Sequence, residues 1–111
     1  MSESTVTVPS VSIEDVEAYL AAGDWTIVDA NSAERYAEGH VPGAVHLDKT
    51  NVAGSLPADT SAGVVFYCGG PSCQAAPNAA RTAASLGYEN VAVLTVGISG
   101  WLEAGKPVET A

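Results

Sequence analysis

The stretch "VVFYCGGPSCQAA", residues 64–76, indicates the fold of this chain. Four apolar or aromatic residues, a pattern typical of a buried strand, run directly into Cys68. Two glycines, a proline, a serine and a second cysteine, Cys73, follow before an alanine-rich segment begins. The pattern predicts a strand, a loop with almost no side chains and a helix, with a thiol at the carboxyl end of the strand.

The loop after Cys68 has the composition of an anion-binding site. Glycine permits the backbone conformations that turn several N–H groups inward and lets the backbone approach a ligand closely. Such a cradle, with the N-terminus of a helix beneath it, stabilises a thiolate and lowers the pKa of the thiol. Cys68 is therefore the candidate nucleophile. The candidate binding residues are Gly69, Gly70, Pro71, Ser72, Cys73 and Gln74.

Strand and helix signals alternate along the rest of the chain. Short β-branched strands separated by helices predict an α/β fold, with a mostly parallel sheet covered by helices on both faces. Ligands of such sheets bind beyond the carboxyl ends of the strands, where Cys68 is expected to lie. The predicted strands are 6–8, 25–30, 43–47, 64–67 and 90–96, the predicted helices are 12–23, 32–39, 75–87 and 98–105, and a polar loop covers 48–62.

Length and composition predict one domain over residues 1–111. The chain has 111 residues and is 47% hydrophobic, enough to bury a core without disulfides or metal. It has no run near the roughly 18 apolar residues of a membrane span, and its first residues lack the pattern of a signal peptide. We therefore expect a cytoplasmic protein, in which two cysteines are more often reactive thiols than a structural bridge.

The charge of the chain excludes some partners. The formal net charge of −9 argues against binding to nucleic acid or to anionic membranes. Between Asp59 and Glu89, however, there is no acidic residue and one base, Arg81. Surface charges more than about 10 Å away are largely screened, so a small anion is not excluded from the loop. The basic residues of the chain are Arg35, Lys49, Arg81 and Lys106.

Three motifs together identify a family. The segment "TIVDANSAERYAEGHVPGAVHL" (26–47), the loop that begins at Cys68 and "GISGW" (97–101) resemble the single-domain rhodanese-like sulfurtransferases in order and spacing. The resemblance covers nearly the whole chain and implies a five-stranded parallel sheet of order 1-5-4-2-3. It also implies that Cys68 takes a sulfane sulfur from thiosulfate or another persulfide donor, becomes a persulfide and passes the sulfur to cyanide or a thiol.

The same resemblance implies the partners of the chain. They are a small sulfur-containing anion or a persulfide donor, and a thiol or cyanide acceptor, with a persulfide on a partner protein as a further candidate. No cofactor and no metal are expected, and we expect a monomer.

The sequence departs from this family in the loop. Many members have an arginine shortly after the catalytic cysteine and another two residues after the aspartate that ends the second strand. Here those positions are Gly69 and Asn31, and the loop 68–74 is longer than the usual six residues. Anion affinity would then rest on backbone N–H groups and on Arg81, so we expect weak saturation by thiosulfate.

Several functions for Cys73 and for the whole site remain open. Cys73 could resolve a sulfenate or persulfide on Cys68, accept the sulfur in an internal transfer, or be inert. A reversible Cys68–Cys73 disulfide would indicate a redox-sensing or noncatalytic module instead of an enzyme. A cysteine-dependent phosphatase or arsenate reductase is disfavoured, because its transition state calls for an arginine in the loop.

Residues near the loop are assigned supporting or structural roles. Asp29 is expected to cap the following turn or to bond backbone beside the loop. Arg81 is the candidate supporting cation, whereas Arg35 is expected to pair on the surface with Glu34 or Glu38.

A zinc site made of Cys68, Cys73, His40 and His46 is disfavoured, because His40 belongs to a turn and His46 to a strand. We expect His40 to bond backbone in its turn and His46 to be a partly exposed strand residue. Packing roles are expected for Trp25 and Trp101, and turn roles for Gly97 and Gly100.

Overall fold

The computed structural model describes residues 8–48, 50–70 and 72–110. The strand predicted at 6–8 lies outside these residues except for Val8, which belongs to no strand. The strands are β1 (Ser10–Val11), β2 (Trp25–Asp29), β3 (Val45–His46), β4 (Gly63–Tyr67) and β5 (Val91–Leu94). The helices are α1 (Ile13–Ala22), α2 (Ala33–Glu38), α3 (Ala75–Ser85) and α4 (Gly97–Glu103), and a short 3-10 helix, Ala53–Ser55, interrupts the predicted polar loop.

The five strands form one sheet in the order β1-β5-β4-β2-β3, and all strand pairs are parallel. The predicted fold is therefore confirmed. In the centre of the sheet Phe66 of β4 pairs with Val28 on one side and with Val93 on the other. All five residues of β4 are buried, as expected for a strand covered on both faces.

Alternate residues of β4 pack on opposite faces of the sheet. Val64 and Phe66 belong to a core cluster with α3, whereas Val65 and Tyr67 belong to a cluster with α1 and α4. The buried residues of α3 are all alanines, so this helix packs closely on the sheet: Ala76, Ala79, Ala80 and Ala83.

Local signals set the ends of the first helix. Ser12 forms a capping box with Asp15, with hydrogen bonds of 3.1 and 3.0 Å, and Gly23 ends α1 with φ of 76°. The predicted strand at 43–47 is shorter in the structure, because Gly43 has φ of 82° and still belongs to the preceding turn.

Both tryptophans have the predicted packing role. Trp25 stacks on Tyr19 with ring centroids 4.1 Å apart, and a Cβ at Gly63 would overlap its indole ring. Trp101 is 1% exposed, and its Nε1 donates to the carbonyl oxygen of Pro107 at 2.7 Å. No helix within the described residues has both the length and the apolar character that crossing a bilayer requires.

Candidate active site

Cys68 is the first residue after the central strand β4, at the carboxyl edge of the sheet. The loop that follows is tied to α4 through its carbonyl groups. The N–H of Ile98 donates to the carbonyl of Cys68 at 2.9 Å, and that of Ser99 to the carbonyl of Gly69 at 3.0 Å. Among the described residues, the N–H groups of Gly69 and Gly70 have no acceptor.

Gly97 allows α4 to approach this loop. Its φ is 63°, and an added Cβ would lie 2.5 Å from the carbonyl oxygen of Cys68 and 2.7 Å from the nitrogen of Gly70. Real Cβ contacts are not that short, and a positive φ disfavours any other residue. The turn roles predicted for Gly97 and Gly100 are wrong, because both residues lie within α4. The function of Gly97 is to seat α4 against the loop.

A cleft of about 560 Å³ opens beside the loop. Among the residues predicted to bind substrate, Gln74 is outside the lining and Pro71 lies outside the described residues. The cleft is lined by Gly69, Gly70, Ser72 and Cys73 from the loop, by Ala30, Asn31, Ser32 and Arg35 from β2 onward, and by Ala75 and Ser99.

Cys68 and Cys73 are joined by a disulfide, with their Cα atoms 6.3 Å apart. Cys68 is 3% exposed and does not line the cleft, whereas Cys73 does. The composition favoured two reactive thiols over a bridge, and the structure has the bridge because the loop folds Cys73 back over Cys68. Neither sulfur titrates in this state, so the lowered pKa of Cys68 stays a prediction.

Arg35 supplies the cation that the loop lacks. Its Nη1 lies 3.2 Å from the position that a Cβ of Gly69 would occupy, and its guanidinium lines the cleft. The predicted surface pair with Glu34 or Glu38 is wrong, since no ion pair of Arg35 is formed within the described residues. The reason is that α2 starts at the carboxyl end of β2, so its first turn faces the same edge of the sheet as Cys68.

Arg81 is not brought to the cleft. It lies on the exposed side of α3, where its guanidinium donates to the side-chain oxygen of Asn78. Proximity to Cys68 along the chain favoured Arg81 over Arg35 as the cation of the site. The signal that could have found Arg35 is that the segments after β2 and after β4 begin at the same edge of a parallel sheet.

Asn31 carries an unsatisfied donor in the lining of the cleft. It is 7% exposed, its backbone N–H donates to Asp29 Oδ1 at 2.7 Å, and its carbonyl oxygen lies 2.8 Å from His46 Nε2. Its amide nitrogen Nδ2 has no hydrogen-bond partner among the described residues. A buried donor without a partner costs about 1 to 3 kcal/mol, so a bound anion that reached this amide would recover that cost.

Asp29 holds the backbone beside the cleft, as predicted. It is fully buried, and its second carboxylate oxygen, Oδ2, accepts from Tyr67 Oη at 2.6 Å. Tyr67 Oη in turn accepts from the N–H of Val41 at 3.0 Å. Burial, and next the hydrogen bond to Asp29, raise the pKa of Tyr67 well above its usual value, so the phenol remains a proton donor.

The two histidines have structural partners. His40 is buried in its turn with Nδ1 2.7 Å from the carbonyl oxygen of Tyr36, which confirms the predicted backbone bond. His46 is half-buried at the end of β3 and holds the carbonyl of Asn31. Within residues 8–48, 50–70 and 72–110, no three His, Cys, Asp or Glu side chains come together as metal ligands.

The fold and the site define a parallel α/β domain with a cysteine loop after its central strand. The sequence profile of the rhodanese-like domain matches residues 12–104. The chain belongs to the rhodanese-like domain family.

Three relatives illustrate the similarity. The chain is 39% identical over 89 residues to an HTH-type transcriptional regulator of Mycobacterium tuberculosis. The aligned region covers 79% of this chain and 39% of that protein. It is 49% identical over 45 residues to the thiosulfate sulfurtransferase of Azotobacter vinelandii, 40% of this chain and 17% of that protein. The crystal structure of thiosulfate sulfurtransferase from Pseudomonas aeruginosa matches with a TM-score of 0.80 and 26% identity, over 93% of this chain and 20% of that one. The chain thus spans less than half the length of each of these relatives.

Proposed function

We propose that this chain is a sulfurtransferase that carries a sulfane sulfur as a persulfide on Cys68. The observation that carries the proposal is the position of Cys68, directly after the central strand and at the start of a loop with N–H groups that have no described acceptor. Membership of the rhodanese-like family and the partial match to a thiosulfate sulfurtransferase support the same chemistry.

The reaction begins from the reduced protein. The Cys68 thiolate attacks the sulfane sulfur of thiosulfate, the sulfur–sulfur bond of thiosulfate breaks, and sulfite leaves with the electron pair. The persulfide on Cys68 is then attacked at its outer sulfur by cyanide or a thiol, and the Cys68 thiolate is regenerated. Each step places negative charge on sulfur, which the N–H groups of the loop and the N-terminus of α3 stabilise.

Arg35 and Asn31 favour an anionic donor. A guanidinium forms charge-assisted hydrogen bonds with oxyanions, and the amide of Asn31 offers a further donor in the same cleft. The expectation of weak thiosulfate binding assumed that no cation faced the loop. With Arg35 beside Gly69, thiosulfate itself is a suitable donor.

A redox-sensing module is the second candidate function, and the disulfide between Cys68 and Cys73 favours it. In this candidate an oxidant closes the bridge, a dithiol opens it, and the domain reports the change to another part of a longer protein. The similarity to a transcriptional regulator fits such a role. Oxidation without a sulfur donor would then be the functional event.

The mass of the reduced protein after thiosulfate treatment tests the proposed function. Cys73→Ser is the informative variant, because it cannot form the bridge. We expect it to release sulfite and to gain one sulfur atom that a reductant removes. Cys68→Ser should gain no sulfur and release no sulfite. Persulfide formation in Cys68→Ser but not in Cys73→Ser would move the nucleophile to Cys73, and hydrolysis of a phosphate monoester by the reduced protein would favour the phosphatase class.

A further inference from the structure

The disulfide shows that the two sulfur atoms of the loop come within bonding reach of each other. The Cα atoms of Cys68 and Cys73 are 6.3 Å apart, inside the range of about 4.4 to 6.8 Å that bridged cysteines adopt. Cys73 lines the cleft, whereas Cys68 is 3% exposed and does not line it.

Hydrogen bonds hold this arrangement in addition to the bridge. The N–H of Cys73 donates to the carbonyl of Gly70 at 3.1 Å, which folds the end of the loop back over its start. The carbonyl of Cys68 is held by the N–H of Ile98 at 2.9 Å. With both ends of the loop held by these bonds, we expect a reduced Cys73 to stay beside Cys68, where an attached thiol reacts at an effective concentration far above that of a free thiol.

We propose that Cys73 is a second catalytic cysteine that resolves the persulfide on Cys68 and releases sulfide. The proposal rests on the proposed function, because it needs the Cys68 persulfide. It gives the chain a further activity: reductive release of hydrosulfide from a sulfane donor, with a dithiol as the final reductant.

The step balances as follows. The Cys73 thiolate attacks Cys68 Sγ, the Sγ–Sγ bond forms, and the bond from Cys68 Sγ to the outer sulfur breaks. The outer sulfur leaves with the electron pair as hydrosulfide. Overall, thiosulfate and two protein thiols give sulfite, hydrosulfide and the disulfide, so the two thiols are oxidised and the sulfane sulfur is reduced. A dithiol then reduces the bridge by exchange, and the disulfide form is the product state of the half-reaction.

Attack by Cys73 on the outer sulfur would give a different result. It would move the persulfide to Cys73, release no sulfide and leave Cys68 as a thiol. The direct Sγ–Sγ bond between the two residues favours attack on the inner sulfur.

A single-turnover experiment without free thiol tests the proposal. Reduced wild-type protein, freed of reductant, is mixed with thiosulfate, and sulfite, sulfide and intact mass are measured over time. We expect one sulfide for each sulfite and a loss of two hydrogens. Cys73→Ser should still release sulfite, keep one added sulfur and release sulfide at least about 100-fold more slowly until a dithiol is added.

The possible outcomes separate the two proposals. A wild-type protein that makes sulfite but keeps a stable added sulfur overturns the role of Cys73, and so does an added sulfur that peptide mapping places on Cys73. In both cases the proposed sulfurtransferase stands. Absence of sulfite from wild type and from Cys73→Ser refutes both proposals. The wild-type arm is decisive by itself, so the test does not depend on how well the variant folds.

Discussion

The guanidinium of Arg35 lies against Gly69, with Nη1 3.2 Å from the position that a glycine Cβ would take. One residue belongs to α2 and the other to the loop after β4. The cleft therefore receives its positive charge from a helix beside the loop, because Gly69 has no side chain to occupy the same space.

Replacing Arg35 should weaken the binding of an anionic donor. For Arg35→Ala we expect the KM for thiosulfate to rise about 5-fold, which corresponds to about 1 kcal/mol for a charge-assisted contact at an exposed position. The kcat should change less, because Cys68 and its loop are untouched. Steady-state kinetics with cyanide as acceptor measure both constants.

Arg81→Ala is the matched control for Arg35→Ala, because it removes the same charge from the exposed side of α3. Its KM should equal that of the wild type. Added salt should raise the KM of the wild type more than that of Arg35→Ala, since salt screens the attraction. Equal KM values for the two variants would assign no binding role to Arg35.

Moving the charge to the loop should compensate for the loss of Arg35. The φ of Gly69 is not positive, so its backbone accepts a side chain. In the wild type, Gly69→Arg would set two like charges side by side, and we expect the thiosulfate KM not to fall. In Arg35→Ala the same substitution should recover most of the lost affinity. A fall in KM on adding Gly69→Arg to the wild type would show that the two cations act independently.

Substitution of Gly97 should damage the loop more than substitution of a glycine with similar φ. Gly97 has φ of 63° and Gly105 has φ of 74°, but an added Cβ meets the loop only at Gly97 and meets no atom within 4 Å at Gly105. The left-handed conformation costs each alanine variant about 1 to 2 kcal/mol. The clash should add about 1 to 3 kcal/mol in Gly97→Ala alone.

Urea unfolding of the two alanine variants gives the comparison. Gly97→Ala should also lose sulfur transfer activity, whereas Gly105→Ala should keep it. Equal losses of unfolding free energy would mean that α4 moves away from the loop without cost.

Tyr67→Phe should destabilise the fold and change its response to alkali. The variant leaves buried Asp29 Oδ2 without its donor and the Val41 N–H without its acceptor, at a cost of about 2 to 4 kcal/mol at neutral pH. The pKa of Tyr67 is raised in the folded state, so above about pH 10 the unfolded chain loses this proton first. Wild-type stability should therefore decline as the pH rises above about 10.

The Tyr67→Phe variant lacks this contribution, so the difference in unfolding free energy between the two proteins should shrink from pH 7 toward pH 11. Urea unfolding at several pH values measures it. A constant difference over this range would contradict the raised pKa of Tyr67.

Local patterns were sufficient for many of the elements. The first helix was predictable because Ser12 and Gly23 act on the neighbouring turn, and β4 because a strand covered on both faces must be apolar throughout. The short β3 was overestimated, because Gly43 belongs to a turn and apolar residues beside it suggested a longer strand. The order of the strands came from the family resemblance and was confirmed.

By itself, the sequence determined that a buried strand ends just before Cys68 and that a loop of small residues follows. Both features depend on residues that are adjacent in the chain. Only the tertiary structure decided which side chains surround that loop. Arg35 and Asn31 reach it because β2 and β4 are neighbours in a parallel sheet, so the segments after both strands meet at one edge. The bridge between Cys68 and Cys73 likewise depends on how the loop folds back, which hydrogen bonds from α4 and within the loop decide.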